Sequence, residues 1–182
     1  MDALIEQFWG AGLIQFGRFD EDGVPFKIGF DLLPSYPDIW SNVLERLILL
    51  ADVNRYERLL ASSEALPLGT LLSFLANVPL VYSRGTRREG VYDLLGAYDV
   101  GHPALFVANT WQNSHEGLIH KAKKVGLEIH TAWVLMTTGK VTANMPNLTI
   151  HSLFRLEDVM LDLHTAKKLP TGQVDAVLAW LG

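Results

Sequence analysis

Apolar residues along the chain alternate between short solid runs and longer periodic stretches. Residues 104–108, Ala-Leu-Phe-Val-Ala, stop at the polar stretch Asn109-Thr-Trp-Gln-Asn-Ser-His115. A five-residue apolar run ending in turn-forming sequence predicts a strand buried on both faces of a parallel sheet, although periodicity by itself also admits a buried helix segment. After it, Asn113 or Ser114 is expected to cap a helix, with Glu116 reaching back as in a capping box. Leu4, Ile5, Phe8, Trp9, Leu13 and Ile14 recur at helical spacing and predict a short N-terminal helix interrupted by Gly10 and Gly12. A turn at Asp22-Gly23 leads into residues 24–30, extended or an edge strand because Pro25 cannot donate to a ladder. Pro37 opens a helix whose inward face is read as Ile39, Val43, Leu47 and Leu50.

The rest follows the same alternation. Residues 58–61 predict a strand, and a helix starts near Pro67 with Leu68, Leu71, Leu72 and Leu75 as its apolar residues. Residues 78–83, 127–136 and 149–154 predict further strands, and residues 156–165 and 174–181 predict two closing helices. Strands alternating with helices of this length predict an α/β fold with a mostly parallel central sheet and helices on both faces. Ligands of such sheets bind beyond the carboxyl ends of the strands, where free N–H groups of a helix start favour an anion. Residues 109–115 are therefore the first place to look for a site.

Composition narrows the classes. A chain of 182 residues and 20.3 kDa is read as one domain. Its 49% hydrophobic and 19% charged residues, with mean hydropathy +0.17, suit a large core with surface to bury in an oligomer. A net charge of -5 and a pI of about 5.6 give no general attraction to nucleic acid or to an anionic membrane, so a phosphate site requires a local basic cluster. The absence of cysteine removes disulfides and thiolate metal sites and fits a reducing compartment. The acidic start and the lack of a membrane-length apolar run lead to the expectation of a cytoplasmic protein. Asn147-Leu-Thr149 matches a glycosylation acceptor only by chance on that reading.

Glycine-rich phosphate fingerprints and the Gly-x-Ser-x-Gly elbow are absent. His115, Glu116 and His120 imitate a zinc helix, but histidines five apart diverge around a helix, so no metal is expected and they are read as polar residues on a solvated face. Arg84, Arg87 and Arg88 stand in a glycine-bounded loop, where guanidinium forks could clamp phosphate or simply be solvated. Trp111 could stack on a flat ligand or cover a subunit interface.

Several segments in order resemble the orotate phosphoribosyltransferase family of type I phosphoribosyltransferases, from about residue 17 to 158. They are Phe16-Gly-Arg-Phe19, Asp31 with Leu33-Pro-Ser-Tyr-Pro37, Leu66-Pro-Leu68, Val78-Pro-Leu-Val-Tyr-Ser-Arg84, Leu94-Leu-Gly-Ala-Tyr98 with Gly101, and His151-Ser-Leu-Phe-Arg-Leu-Glu-Asp158. The resemblance implies a single type I phosphoribosyltransferase-like domain over 1–182. Its divisions are a small N-terminal hood or edge segment at 1–36, a core at 37–165 and a C-terminal helix at 166–182. It also implies a homodimer, and magnesium if phosphoribosyl pyrophosphate is bound.

The family transfers phosphoribosyl from that substrate to orotate, holding the ribose with paired acids and the 5′-phosphate with a Thr-Thr-Gly backbone. In this chain the acids align with Ala108 and Asn109, and Thr-Thr-Gly aligns with Gln112, Asn113 and Ser114. An early-loop lysine aligns with Glu21. The lysine expected after Arg84 is Gly85, and the mobile-loop lysine is Arg88. Ser63-Glu64-Ala65 replaces a glycine-rich pyrophosphate loop and brings a negative charge there. Losing several charge-assisted contacts to one ligand weakens it by orders of magnitude. The expectation is a transferase site lost or repurposed. Candidate ligand residues are Arg84, Arg87, Arg88, Asn109, Thr110, Gln112, Asn113 and Ser114, and the partner is a nucleotide, another small phosphorylated ligand or a protein. The alternatives are an active phosphoribosyltransferase with altered contacts and a non-catalytic structural subunit.

Overall fold

A computed structural model describes residues 1–18, 23–85, 92–96, 98, 100–139, 141 and 143–182. In chain order the elements are α1 (Ala3–Gly10), β1 (Ile14–Phe16), β2 (Phe26–Ile28), α2 (Pro37–Ala51), β3 (Arg58–Ala61), α3 (Leu66–Ala76), β4 (Leu80–Gly85) and β5 (Tyr92–Gly96). They continue as β6 (His102–Thr110), α4 (Ser114–Lys124), β7 (Leu127–Thr137), β8 (Thr149–Arg155), α5 (Leu156–Thr165) and α6 (Thr171–Leu181). Contacts divide the chain into two units, one of Met1–Val43 with Phe154–Gly182 and one of Leu44–Leu153.

In the first unit, Asp2 caps α1 by accepting from the Leu4 N–H at 2.8 Å. β1 and β2 form an antiparallel pair with Ile14 opposite Ile28 and Phe16 opposite Phe26. Edge-on aromatic pairs, Phe8 with Phe154 and Phe26 with Trp180, stitch its two chain segments together. Lys168 adds an ion pair to Glu6 at 2.7 Å.

The second unit carries the sheet, ordered β5-β4-β3-β6-β7-β8. β3 runs parallel to both β4 and β6, and β6 runs parallel to β7, while β5 turns back antiparallel on β4. Residues 104–108 are fully buried in the middle of β6, which settles that run as a central strand. A shift of register between Ala104 and Leu105 offsets the later pairing of β6 with β7. One sheet face, with Leu60, Val81 and Phe106, packs on Leu118, Ile119 and Ala122 of α4. On the opposite face α3 lies against β3 and β4 at Gly69, where a Cβ would stand 2.6 Å from that of Ala61 and 3.1 Å from Leu80 Cδ1. The smallest side chain is what lets this helix seat.

The helix faces differ in detail from the spacing rule. Leu50 and Leu75, read as inward, are exposed, and Trp40, Leu44 and Ala51 take the buried positions on α2. Each misplaced leucine lies in the last turn of its helix. The apolar pattern does not predict β1 or β5 as strands. Gly96 ends β5 at φ +123, with Leu80 O only 2.4 Å from where a Cβ would be, so this close edge approach requires glycine.

Candidate functional site

β3 and β6 lie side by side, with the last residue of β3, Ala61, opposite Val107, and β6 runs on to Thr110, so the 3₁₀ turn after β3 lies beside the end of β6. After β3, Ser62 leads into a 3₁₀ turn over Ser63–Ala65. After β6 the chain passes through Trp111, Gln112 and Asn113 into α4. The two turns are joined by polar bonds. The Asn109 side-chain amide donates to Glu64 O at 3.0 Å. Ser62 Oγ donates to Glu64 Oε1 at 2.5 Å, and His115 Nε2 lies 3.2 Å from the same carboxylate oxygen.

The histidine is fixed from both sides. Gln112 N–H donates to His115 Nδ1 at 3.2 Å, so Nδ1 is an acceptor and the ring proton sits on Nε2, facing Glu64. The imidazole is 4% exposed and stands edge-on or tilted against Trp111 and Phe106, with centroids 5.6 and 5.2 Å away. Burial pushes the Glu64 carboxyl up. Hydrogen bonds from His115, Ser62 and its own backbone N–H outweigh that and hold it below its ordinary value. Trp111 Nε1 is buried without a hydrogen-bond partner among the described residues.

The expected capping box does not form. Asn113 is already helical, at φ -60 and ψ -28, and its side chain makes no capping bond. The first α4 donors are taken by the turn itself, His115 N–H by Gln112 O and Glu116 N–H by Asn113 O. The Glu116 carboxylate instead accepts from Asn144 N–H at 2.8 Å. Over the start of α4, Tyr92 of β5 donates its hydroxyl to Ser114 O at 2.8 Å.

The expected site residues separate into groups. Gln112 and Asn113 form the turn and Ser114 opens α4, with Ser114 Oγ 3.4 Å from Gln112 Oε1, while Asn109 and Thr110 are the last residues of β6, Thr110 opposite Met136 of β7. Arg84 lies on β4, two strands away, opposite Asp93 of β5. Among the described residues no hydrogen bond or ion pair ties it to the turn. Instead it lines a cavity of about 310 Å³ with Asp93, Leu94, Leu95, Tyr98, Lys121 and Val125. Arg87, Arg88 and Glu21 fall outside the described residues.

His115 corrects the reading of a solvated polar pair: it is buried and central, while His120 is exposed. Its signal was in the sequence, because His115, Leu118, Ile119 and Ala122 follow the i, i+3, i+4, i+7 pattern of one inward helix face. Among the described residues no group of three histidine or acidic side chains is placed to hold a metal ion. Glu64 is the carboxylate that the two turns bring together, and it is committed to His115 and Ser62, so these residues do not fit magnesium.

No protein-family model matches the chain, and no curated protein does. Solved structures do. Orotate phosphoribosyltransferase from Aeropyrum pernix is 19% identical, with 89% of this chain and 98% of that one covered at a TM-score of 0.79. The Francisella tularensis enzyme of the same name is 16% identical over 98% of this chain and 97% of its own, at 0.70. UMP synthase of Leishmania donovani is 20% identical at 0.77, and the match takes in 98% of this chain and 41% of that longer one. The chain therefore has the type I phosphoribosyltransferase fold in its orotate phosphoribosyltransferase-like form.

Proposed function

We propose that this chain is a binding protein on an orotate phosphoribosyltransferase-like fold, in which the turn after β6 is a structural clasp and not a phosphoribosyl pyrophosphate site. The observation that carries this reading is the bond between Glu64 and His115. An anionic side chain already accepts the hydrogen bonds that these two turns direct inward, at the place where the resemblance puts the substrate's phosphates. Like charges meeting there repel, and a carboxylate held below its ordinary value stays ionised at neutral pH. Asn109, the candidate replacement for a ribose-binding acid, has its amide committed to Glu64 O.

The test is direct. Purified protein is titrated calorimetrically with phosphoribosyl pyrophosphate and magnesium, and assayed for orotidine monophosphate. The expected outcome is no binding at millimolar ligand and no product. Product formation that Arg84→Ala abolishes would overturn the reading.

A further inference from the structure

The cavity at the β5 edge is built differently from the clasp. Its walls are the outer strands β4 and β5 and the C-terminal half of α4. Lys121 enters from the helix, half-buried, and donates its ammonium to the main-chain oxygen of Tyr92. Arg84 enters from β4. Although Asp93 stands opposite it in the strand pair, no ion pair among the described residues joins Arg84 or Lys121 to a carboxylate. Leu94, Leu95 and Val125 supply apolar wall, and Tyr98, partly buried, packs against the core. A half-buried ammonium without a carboxylate keeps an uncompensated charge in partly excluded solvent, where an anion gains more than it does at the open surface.

We infer that this cavity, lined by Arg84, Lys121, Asp93 and Tyr98, is a binding site for a small phosphorylated polyol. Arg84 and Lys121 hold the phosphate, the first as a fork and the second as a point charge. Asp93, acceptor-only when ionised, takes hydrogen bonds from hydroxyl groups and penalises a ligand carrying a second anionic group. The leucines and Val125 cover the carbon face, and Tyr98 can offer its hydroxyl or ring. A volume of about 310 Å³ lies at the small end of ligand sites, which suits a single phosphorylated sugar and not a dinucleotide. The inference does not depend on the clasp, because the two sites share no lining residue and lie at different strands.

The experiment is an NMR titration of the full chain, following backbone amides, with glucose 6-phosphate, glucose and inorganic phosphate as probes. Glucose 6-phosphate is expected to shift amides of β5 and of residues 121–125, with phosphate binding more weakly and glucose not at all. Arg84→Gln and Lys121→Met are each expected to weaken glucose 6-phosphate by about ten- to a hundredfold, the loss of one charge-assisted contact. Lys121→Arg, which keeps charge and donors, should retain most of the affinity and shows that the fold is intact. Glu64→Gln, at the clasp, should leave binding unchanged. Shifts confined to residues 109–115, equal affinity for phosphate in the wild type and in Arg84→Gln, or no shift with any probe at 10 millimolar, on the order of the weakest specific affinities, would each overturn the inference. Failure here leaves the transferase assay unaffected, whereas product formation that Arg84→Ala abolishes would overturn the proposed function and assign Arg84 to that reaction, so the two failures are distinguishable.

Discussion

The turns beyond β3 and β6 and the cavity beside β5 belong to one sheet, yet they treat charge in opposite ways. In the first, Glu64 is met by His115 and Ser62, and His115 is met again by Gln112. In the second, Arg84 and Lys121 face a shared space without a carboxylate bonded to either among the described residues. Where polar groups satisfy one another, they specify a conformation and leave little for a ligand. Where they are held apart by the backbone, they keep their capacity to recognise something else. A loop position that resembles a binding loop is thus weaker evidence for a site than the pairing state of its side chains.

The comparison breaks first at His115. His115→Ala removes a buried ring, orphans the Gln112 N–H and leaves Glu64 without its main partner, which should cost about 2 to 3 kcal/mol. For a domain of this size that is a fall in Tm of about 4 to 12 °C, measurable by calorimetry. Glu64→Ala should cost about 1 to 2 kcal/mol, because the buried His115 Nε2–H then lacks an acceptor. Glu64→Gln should recover most of that, since the amide oxygen still accepts; no recovery would mean that charge, and not the hydrogen bond, holds the turn.

A smaller effect is pH dependence. Glu64 has its folded value lowered from 4.5, so its stabilisation is complete above about pH 4.5 and is lost as pH falls through the lower folded value. The difference in Tm between wild type and Glu64→Gln should therefore shrink on going from pH 7 to below pH 4. It will be modest, because the Glu64 side chain is 36% exposed and solvent screens the pair. A difference that stays constant across that range would remove the carboxylate from the account. The smallest change is expected at the cavity. Arg84→Gln should alter stability by no more than about 0.5 kcal/mol, since an exposed side chain without a bonded partner among the described residues contributes little to folding. A larger loss would show that Arg84 is structural.

Much of the sheet was legible because burial on both faces writes itself as an unbroken apolar run. Residues 58–61 predict a strand with the bounds observed for β3, and 104–108 predict the heart of β6. β5 was not legible. Tyr92-Asp-Leu-Leu-Gly96 is an edge strand of mixed polarity that follows a basic stretch of sequence, and its pairing is dictated by β4, not by its own pattern. Gly96 carried a signal that only the structure decodes, namely the closeness of Leu80 O. The candidate site was half legible. The resemblance located the turns and flagged Glu64 as a misplaced negative charge, but its partner was hidden. The helix pattern can place His115 on the inward face, but it says nothing of what meets the ring there, and the acceptor that makes burial tolerable is 51 positions away at Glu64.

The clasp also bears on how the two turns can change. Each of its members is tolerable only while the other is present. Removing the carboxylate strands an imidazole in the interior, and removing the imidazole strands a carboxylate beside the sheet. Single substitutions towards an open, glycine-rich anion cradle therefore pass through a less stable protein, whichever residue goes first. Only a paired exchange, with Gln112 freed in the same move, crosses without that dip. Mutational libraries that sample one position at a time will report these turns as rigid, and libraries that vary residues 62–64 and 112–115 together will find them permissive.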